Sequence, residues 1–380
     1  MGVDWTNPES LYKQVADDIR AKIQSGKLKI GDALSSHSQL VQEYQVSLIT
    51  IKRALSELIK EGLVYSRVGK GTYVARSASG VNFARNQTIG FVLRDLNSPF
   101  FSRILLSVEH TATDNKYNLL LANSSNQPDL EQYQINHFLS LGVSGMIIAS
   151  MSHQYTATPL VRHLIAIRCP YIVVSYVVDE DVYHVGTDHE MGGFIACEHL
   201  LKAGYRRIGY IDGEKGNLVG TLRRQGYLRA MREYDQTPLS GDIFRLRRRG
   251  EWFDYESGYE IGRDFVKLTT HPEAMFIYND LAALGFQKAL LESGLKVPDD
   301  VALVGFDDIK RGVIAPVPLT TIHQPTEEIG VLAVNSLIRM INNQPVPIRQ
   351  ILNPWLIVRD SCGVRRKATQ PSVVSEEKSP

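Results

Sequence analysis

The chain has 380 residues, 42 Lys and Arg against 41 Asp and Glu, and is 43% hydrophobic and 22% charged. That length and balance call for two or three folded domains and exclude a disordered or fibrous chain. No run of about 18 apolar residues occurs, and the opening MGVDWTNPESLYKQ has no apolar stretch behind a basic one. Neither a membrane span nor a signal peptide is expected, and the expected location is the cytoplasm. Cys169, Cys197 and Cys362 are odd in number and too far apart for a zinc ribbon or a CxxC pair, so they are expected as free thiols.

Leu11, Val15, Ile19 and Ile23 recur every fourth residue, the apolar stripe of a helix that Ser25-Gly26 ends. A short helix around Gln39 to Tyr44 buries Leu40, Val41 and Tyr44. Ser47 then caps a third helix with Ile51, Ala54, Leu55, Leu58 and Ile59 inward, which Gly62 closes. Leu63–Val68 and Thr72–Ala75, joined through Gly69-Lys70-Gly71, read as a hairpin. Three helices and a hairpin predict a winged helix-turn-helix.

Residues 10–76 hold 11 Lys and Arg against 6 Asp and Glu, a net +5 within a chain of net +1. This asymmetry is the footprint expected of contact with phosphates. The outer face of the third helix offers Ser47, Thr50, Lys52 and Arg53, and the wing tip offers Lys70 beside glycines. Short hydroxyls reach base edges or phosphates, while cations position a helix on the backbone.

The stretch from LYKQVADDIRAKI through VSLITIKRALSELIKEGLVYSRVGKGTYVA resembles the DNA-binding domain of GntR-type bacterial transcription regulators over its whole length. Two departures concern the operator sequence: Leu34-Ser35-Ser36-His37 replaces Leu-Pro-Ser-Glu, and Leu48 stands where the family usually places a DNA-contacting arginine. The candidate DNA-contacting set is Ser36, Gln39, Ser47, Thr50, Lys52, Arg53, Lys70 and Gly71. The domain is expected over residues 8–76, with a linker at 77–87.

Strand-like runs follow at Ile89–Leu93, Asn118–Ala122, Met146–Ala149 and Ile172–Val174, and again at Ile208–Ile211, Ile243–Phe244, Met275–Tyr278 and Ala302–Phe306, with helical segments between. This βαβα alternation predicts an α/β region of two parallel sheets. Ligands bind outside the C-terminal strand ends of such sheets. Attention therefore falls on Asn97–Phe101, Ser175-Tyr176, Asn279-Asp280 and Asp307-Asp308. Asn, Asp and Arg supply the directional hydrogen bonds that sugar hydroxyls need, and aromatics cover a sugar's C–H face.

TIGFVLRDLNSPFF, GVSGMII, HLLKAGYRRIGYI, RRQGYLRAM, AMFIYNDLAALGFQKALLESGLKVPDDVALVGFDDI and PLTTIHQP, in that order, resemble the effector domain of LacI-type repressors, which shares its fold with periplasmic sugar-binding proteins. The resemblance implies a domain over 88–365, with one lobe about 88–189 and 324–352, and the other about 190–322 and 353–365. It implies effector contacts from Ser98, Phe100, Phe101, Arg223, Trp252, Asn279, Asp307 and Gln324. Ser175 joins the set where many sugar-sensing relatives carry an aspartate. The Ser/Glu/Lys/Pro-rich end, 366–380, is expected to be a disordered tail.

Hybrids of these two types resemble the AraR-type, arabinose-responsive regulators. The expectation is a homodimeric repressor of carbohydrate-utilisation genes, with a double-stranded DNA operator and a monosaccharide effector as partners, no cofactor, no metal and no membrane contact. No HExxH, GxSxG or GxxxxGK[ST] appears, so no enzyme is expected. Asp307-Asp308 is read as capping or sugar binding rather than an acid/base pair, and the arginines at 245 and 247–249 as a solvated strand edge. The rivals are a cytosolic solute receptor, a purine or nucleoside sensor, and a sugar-processing enzyme.

Overall fold

The computed structural model describes residues 10–29, 31–60, 63–67, 71–74, 87–149, 156–247 and 253–364. The linker segment 77–86, the wing tip with Lys70, the Gly62 cap, Trp252, Arg248, Arg249 and the tail lie outside them.

Three helices, α1 (Leu11–Gln24), α2 (His37–Tyr44) and α3 (Leu48–Lys60), precede an antiparallel hairpin of β1 (Val64–Arg67) and β2 (Gly71–Val74). Val15, Ile19, Leu40, Tyr44, Ile51, Leu55, Leu58, Val64 and Val74 form one buried cluster, as the four-residue spacing predicts. Tyr44 donates to Asp18 (2.6 Å) and Lys22 pairs with Asp18 (2.9 Å) and Glu43 (2.8 Å), tying α1 to α2. One sequence expectation fails here: Ile59 is 42% exposed on the outer face of α3. It lies one residue past Leu58, and a turn of 3.6 residues carries it off the apolar stripe.

The first larger sheet begins with β3 (Thr88–Leu93), α4 (Pro99–Asp114), β4 (Asn118–Asn123), α5 (Pro128–Leu141), β5 (Gly145–Ile148), α6 (Pro159–Ala166), β6 (Tyr171–Val174) and β7 (His184–Thr187). The chain crosses through α7 (His189–Lys202) into a second sheet built from β8 (Ile208–Asp212), α8 (Leu218–Glu233), β9 (Ile243–Arg245), α9 (Phe253–Phe265), β10 (Ala274–Ile277), α10 (Asp280–Glu292), β11 (Ala302–Phe306), the single turn α11 (Lys310–Val313) and β12 (Thr320–His323). It returns through α12 (Thr326–Ile341) to β13 (Arg349–Leu352) and crosses again to β14 (Trp355–Ile357).

Both sheets have six strands, ordered β13-β7-β6-β5-β3-β4 and β14-β12-β11-β10-β8-β9. Every pairing in them is parallel except β12 with β14. Alternation sorts the strands' side chains: Ile89, Phe91 and Leu93 meet Ile104 and Val108 of α4 and Leu337 of α12, while Val92, Met146 and Ile148 meet Ile135 of α5 and Leu164 of α6. The second sheet is likewise covered on both faces. There α7 packs on α8 and α9 on α10 at very short range. A Cβ at Gly193 would lie 2.0 Å from the Arg223 carbonyl oxygen, and one at Gly226 would lie 2.0 Å from that of Glu190. The three cysteines are buried and free, and burial pushes the Cys169 thiol up to about 12.

Four short strands, β7, β12, β13 and β14, are absent from the sequence reading. They are only three or four residues long, three of them carry polar residues such as His184, His323, Arg349 and Gln350, and all four flank the crossings. No helix among the described residues is long and apolar enough to cross a membrane.

Candidate functional sites: a reading helix and an interlobe cleft

The sequence places polar caps at the start of α2 and α3. Ser36 and Gln39 close a reciprocal capping box: Gln39 N donates to Ser36 Oγ (3.3 Å) and Ser36 N to Gln39 Oε1 (2.8 Å). Ser47 Oγ accepts from Thr50 N (3.2 Å) and lies 2.9 Å from Thr50 Oγ1. Four of the expected DNA-contacting side chains therefore hold helix ends, at the tips where they face solvent or are half-buried. Lys52 is exposed, and the exposed Arg53 guanidinium sits 4.1 Å from the centre of the Tyr12 ring. Gly71 is exposed at φ +107°, with open space where a Cβ would stand.

The second site forms where the strand ends of the two sheets approach. Arg223, on α8, is 3% exposed, and its Nη1 donates to the Tyr278 carbonyl oxygen (2.5 Å). Its Nη2 is 3.5 Å from Asp307 Oδ1 and 3.5 Å from His189 Nδ1, and its guanidinium lies 3.6 Å from the Phe306 ring centre. A planar cation between a carboxylate and an aromatic face is the arrangement in which arginine tolerates burial. Gln324 Nε2 donates to the same Asp307 Oδ1 (2.7 Å). Asp307 and Asp308 both adopt positive φ, 108° and 52°, so the chain turns sharply after β11 and sends consecutive carboxylates to different partners.

Asn279 caps α10 through the Ala282 amide (2.9 Å) and donates from Nδ2 to Asp254 Oδ2 (2.6 Å). Burial lifts the Asp254 carboxyl to about 6, although the Asn279 hydrogen bond opposes it. Asp307 is also raised by burial, opposed by Arg223 and Gln324, and burial next to Arg223 holds His189 well below the usual histidine value. Three buried atoms here, Arg223 Nε, Asp254 Oδ1 and Gln324 Oε1, make no hydrogen bond with the described residues. Buried polar atoms left this way cost about 1–3 kcal/mol each, which a ligand with matching donors and acceptors recovers.

Asp280 and Asp308 are structural. Asp280 accepts from Thr321 Oγ1 (2.6 Å) and the Ile309 amide (2.8 Å), knitting the ends of three strands. Burial pushes Asp308 up, but hydrogen bonds from His323 (2.8 Å) and Arg359 (2.5 Å) outweigh it and hold its carboxyl low. Arg103, on α4, donates to the Asp308 carbonyl oxygen (2.8 Å), a direct link from the first sheet's helices to the end of β11.

Of the expected effector residues, Arg223 and Gln324 both meet Asp307, while Asn279 pairs with Asp254; the two groups adjoin where Arg223 bonds the carbonyl of Tyr278, the residue before Asn279. Ser98, Phe100 and Phe101 open α4 at the end of β3; the two rings meet edge to face at 5.1 Å and rest against the first core. Ser175 ends β6, its amide donating to the Val185 carbonyl oxygen (3.1 Å), and Tyr176 beside it lies 6.4 Å from the His189 ring. Arg245 is exposed on β9, the edge strand of its sheet, as expected, and from there it pairs at 3.1 Å with the buried Asp212 carboxylate. Asp254, His189 and Arg103 were missed. Asp254 opens a helix, where an acidic residue ordinarily signals a favourable dipole contact and nothing more.

Comparisons with known proteins agree on both halves. Residues 11–74 match the bacterial regulatory proteins of the gntR family, and residues 197–362 match the periplasmic binding protein-like domain. The chain is similar to the arabinose metabolism transcriptional repressor of Geobacillus stearothermophilus, 30% identical over 359 residues, covering 92% of this chain and 97% of that one. Among solved structures it resembles a transcriptional regulator CelR-cellobiose complex (26% identical, TM-score 0.65, 86% of this chain and 95% of that one). It also resembles a periplasmic binding protein/LacI transcriptional regulator from Alkaliphilus metalliredigens complexed with D-xylulofuranose (26% identical, TM-score 0.63, 73% and 99%).

Proposed function

The chain belongs to the bacterial transcription regulators that join a GntR-type DNA reader to a periplasmic-binding-protein-like effector domain, and we propose that it is a homodimeric repressor of carbohydrate-utilisation genes whose operator affinity changes when a monosaccharide binds between the two sheets. It is a regulator rather than a solute receptor, and regulators of this kind are not enzymes. The reader spans residues 8–76, the linker 77–87 and the sensor 88–365, and the protein acts in the cytoplasm, where the DNA is.

The observation that carries the sugar is two adjoining groups, Arg223 with Asp307 and Gln324, and Asn279 with Asp254, which together hold three buried unpaired atoms. One cation, two carboxylates and two amides offer alternating donors and acceptors, the pattern a polyol satisfies and a phosphate does not. Two similar structures hold sugars, D-xylulofuranose and cellobiose. Phe100 and Phe101 supply the flat apolar cover from the opposite sheet. A dimer is favoured because one winged helix reads only a half-site, and linking two readers raises affinity by effective concentration. Exposed apolar residues after β11, Val313 and the 83% exposed Ile314, offer surface that a second copy would cover.

Calorimetric titration of the full chain with a panel of pentoses, hexoses, purines and nucleosides tests the ligand. Saturable heat from one monosaccharide, lost in Asp307→Ala, is expected; a response confined to purines or nucleosides would contradict the sugar. Sedimentation is expected to show a dimer at micromolar concentration on DNA, and a strict monomer with and without DNA would contradict the pairing.

A further inference from the structure

The capped start of α3 presents two large apolar side chains to solvent. Leu48 is 46% exposed and Ile49 is 79% exposed. Neither belongs to the buried cluster of the winged helix, whose α3 members are Ile51, Ala54, Leu55 and Leu58. Ser47 Oγ fixes their backbone by accepting from Thr50 N (3.2 Å), so the pair stands on an ordered first turn rather than a frayed end. Lys52 lies one turn after Leu48 and Arg53 one turn after Ile49, both exposed, so the apolar tip is flanked by cations on the same face. An adjacent leucine and isoleucine left exposed at an ordered helix start form an apolar patch that the buried cluster of the described residues does not use.

We propose that Leu48 and Ile49 are specificity-determining residues that read thymine through its 5-methyl group in the major groove. This rests on the DNA-reading function and deepens it. The occupant is set by charge: a tip flanked by Lys52 and Arg53, within a module of net +5, fits a polyanion. On the major-groove edges of double-stranded DNA, the only apolar group offered is the thymine methyl. An aliphatic tip cannot donate to guanine O6 and N7, so it discriminates by what it buries. The half-site therefore carries thymines opposite the start of α3 rather than a guanine.

The test uses the full-length chain and a duplex that the chain itself selects from a randomised library. Each thymine of that half-site is replaced singly by uracil, which removes only the methyl. One or two positions per half-site are expected to weaken wild-type binding by about fourfold each, the worth of one buried methyl. Leu48→Ala or Ile49→Ala should weaken binding to the thymine duplex and abolish the uracil penalty at the matching position. Leu48→Arg should shift selection toward guanine there. Both side chains are exposed, so these variants should keep the wild-type melting temperature.

Wild-type binding indifferent to uracil at every position overturns the inference while leaving the DNA reader in place. A penalty that persists in both alanine variants also overturns it, because another group then reads the methyl. A chain that selects no duplex at all overturns the DNA-reading function and this inference with it.

Discussion

The two large sheets share strand number and direction but not chemistry. Around the strand ends of the second sheet stand Arg223 with Asp307 and Asn279 with Asp254, two charged or polar pairs that are buried or half-buried. The first sheet offers Ser98, Phe100, Phe101, Ser175 and Tyr176, short hydroxyls and rings with few mutual hydrogen bonds. One fold therefore makes two kinds of surface, polar at one set of strand ends and aromatic at the other, which the proposed function uses as the anchor and the cover of a ligand. Arg103 joins the two sides, since it stands on α4 and donates to the Asp308 carbonyl oxygen after β11. In the proposed function, closure of cover onto anchor would be the two-state element by which a ligand moves the first sheet relative to the second.

The largest effect should come from the anchor. Arg223→Ala or Asp307→Ala leaves a buried charged partner unpaired as well as removing bonds to the ligand, and should weaken effector binding by about 100-fold or more while leaving operator binding intact. Paired calorimetry and DNA titration check this. An effector response that survives both changes would erase the distinction between the two sheets.

Next is a pH dependence. In the proposed site ligand hydroxyls would donate to the Asp254 carboxylate, which burial raises to about 6, with Arg223, Asp307 and Glu214 as its other charged neighbours. Protonation removes an acceptor, so effector affinity should fall about tenfold between pH 7 and pH 5, and Asp254→Asn should flatten that profile. The same raised value acts on stability with the opposite sense. The folded state binds the proton more tightly than the unfolded chain, so the contribution is present below about pH 4 and is lost as pH rises through about 6. Asp254→Asn should therefore gain stability relative to wild type above pH 6, which denaturant melts at two pH values would show.

The cover should matter less. Phe100→Ala or Phe101→Ala removes stacking area but leaves no charge stranded, so a loss of about tenfold in effector affinity is expected, with the calorimetric pH profile unchanged. A loss as great as that of Arg223→Ala would mean that the rings, not the polar set, hold the ligand. Smallest per residue is the reader: Lys52→Ala and Arg53→Ala should each lower the slope of log affinity against log salt by about one, across all DNA sequences. An unchanged slope would move the phosphate contacts to another face.

The sequence revealed the architecture because its signals are periodic and repeated. The four-residue stripe of α1, the short apolar run of β3 and the repeated strand-helix alternation each report a local geometry. It was less informative where a residue's environment is made by distant segments. Ile59 looks apolar and inward by type, and only its angular position on α3 exposes it. β13 and β14 are short strands whose pairing with β7 and β12 is fixed by the chain's return crossings, not by their own alternation. Asp254 reads as an ordinary helix-start acid until Asn279, 25 residues away, is seen donating to it. Asn279 and Asp307 could be singled out because they follow strand ends, where this topology gathers side chains, whereas Arg223, inside α8, and Gln324 came from the resemblance of their motifs.

The most direct measurement is fluorescence anisotropy of the full-length protein on the DNA upstream of its own gene, titrated with single monosaccharides and, in parallel, with purines. The account predicts tight binding to that DNA and a change in affinity caused by one monosaccharide, absent in Asp307→Ala. Binding that no monosaccharide alters, or that a purine alone alters, would contradict it.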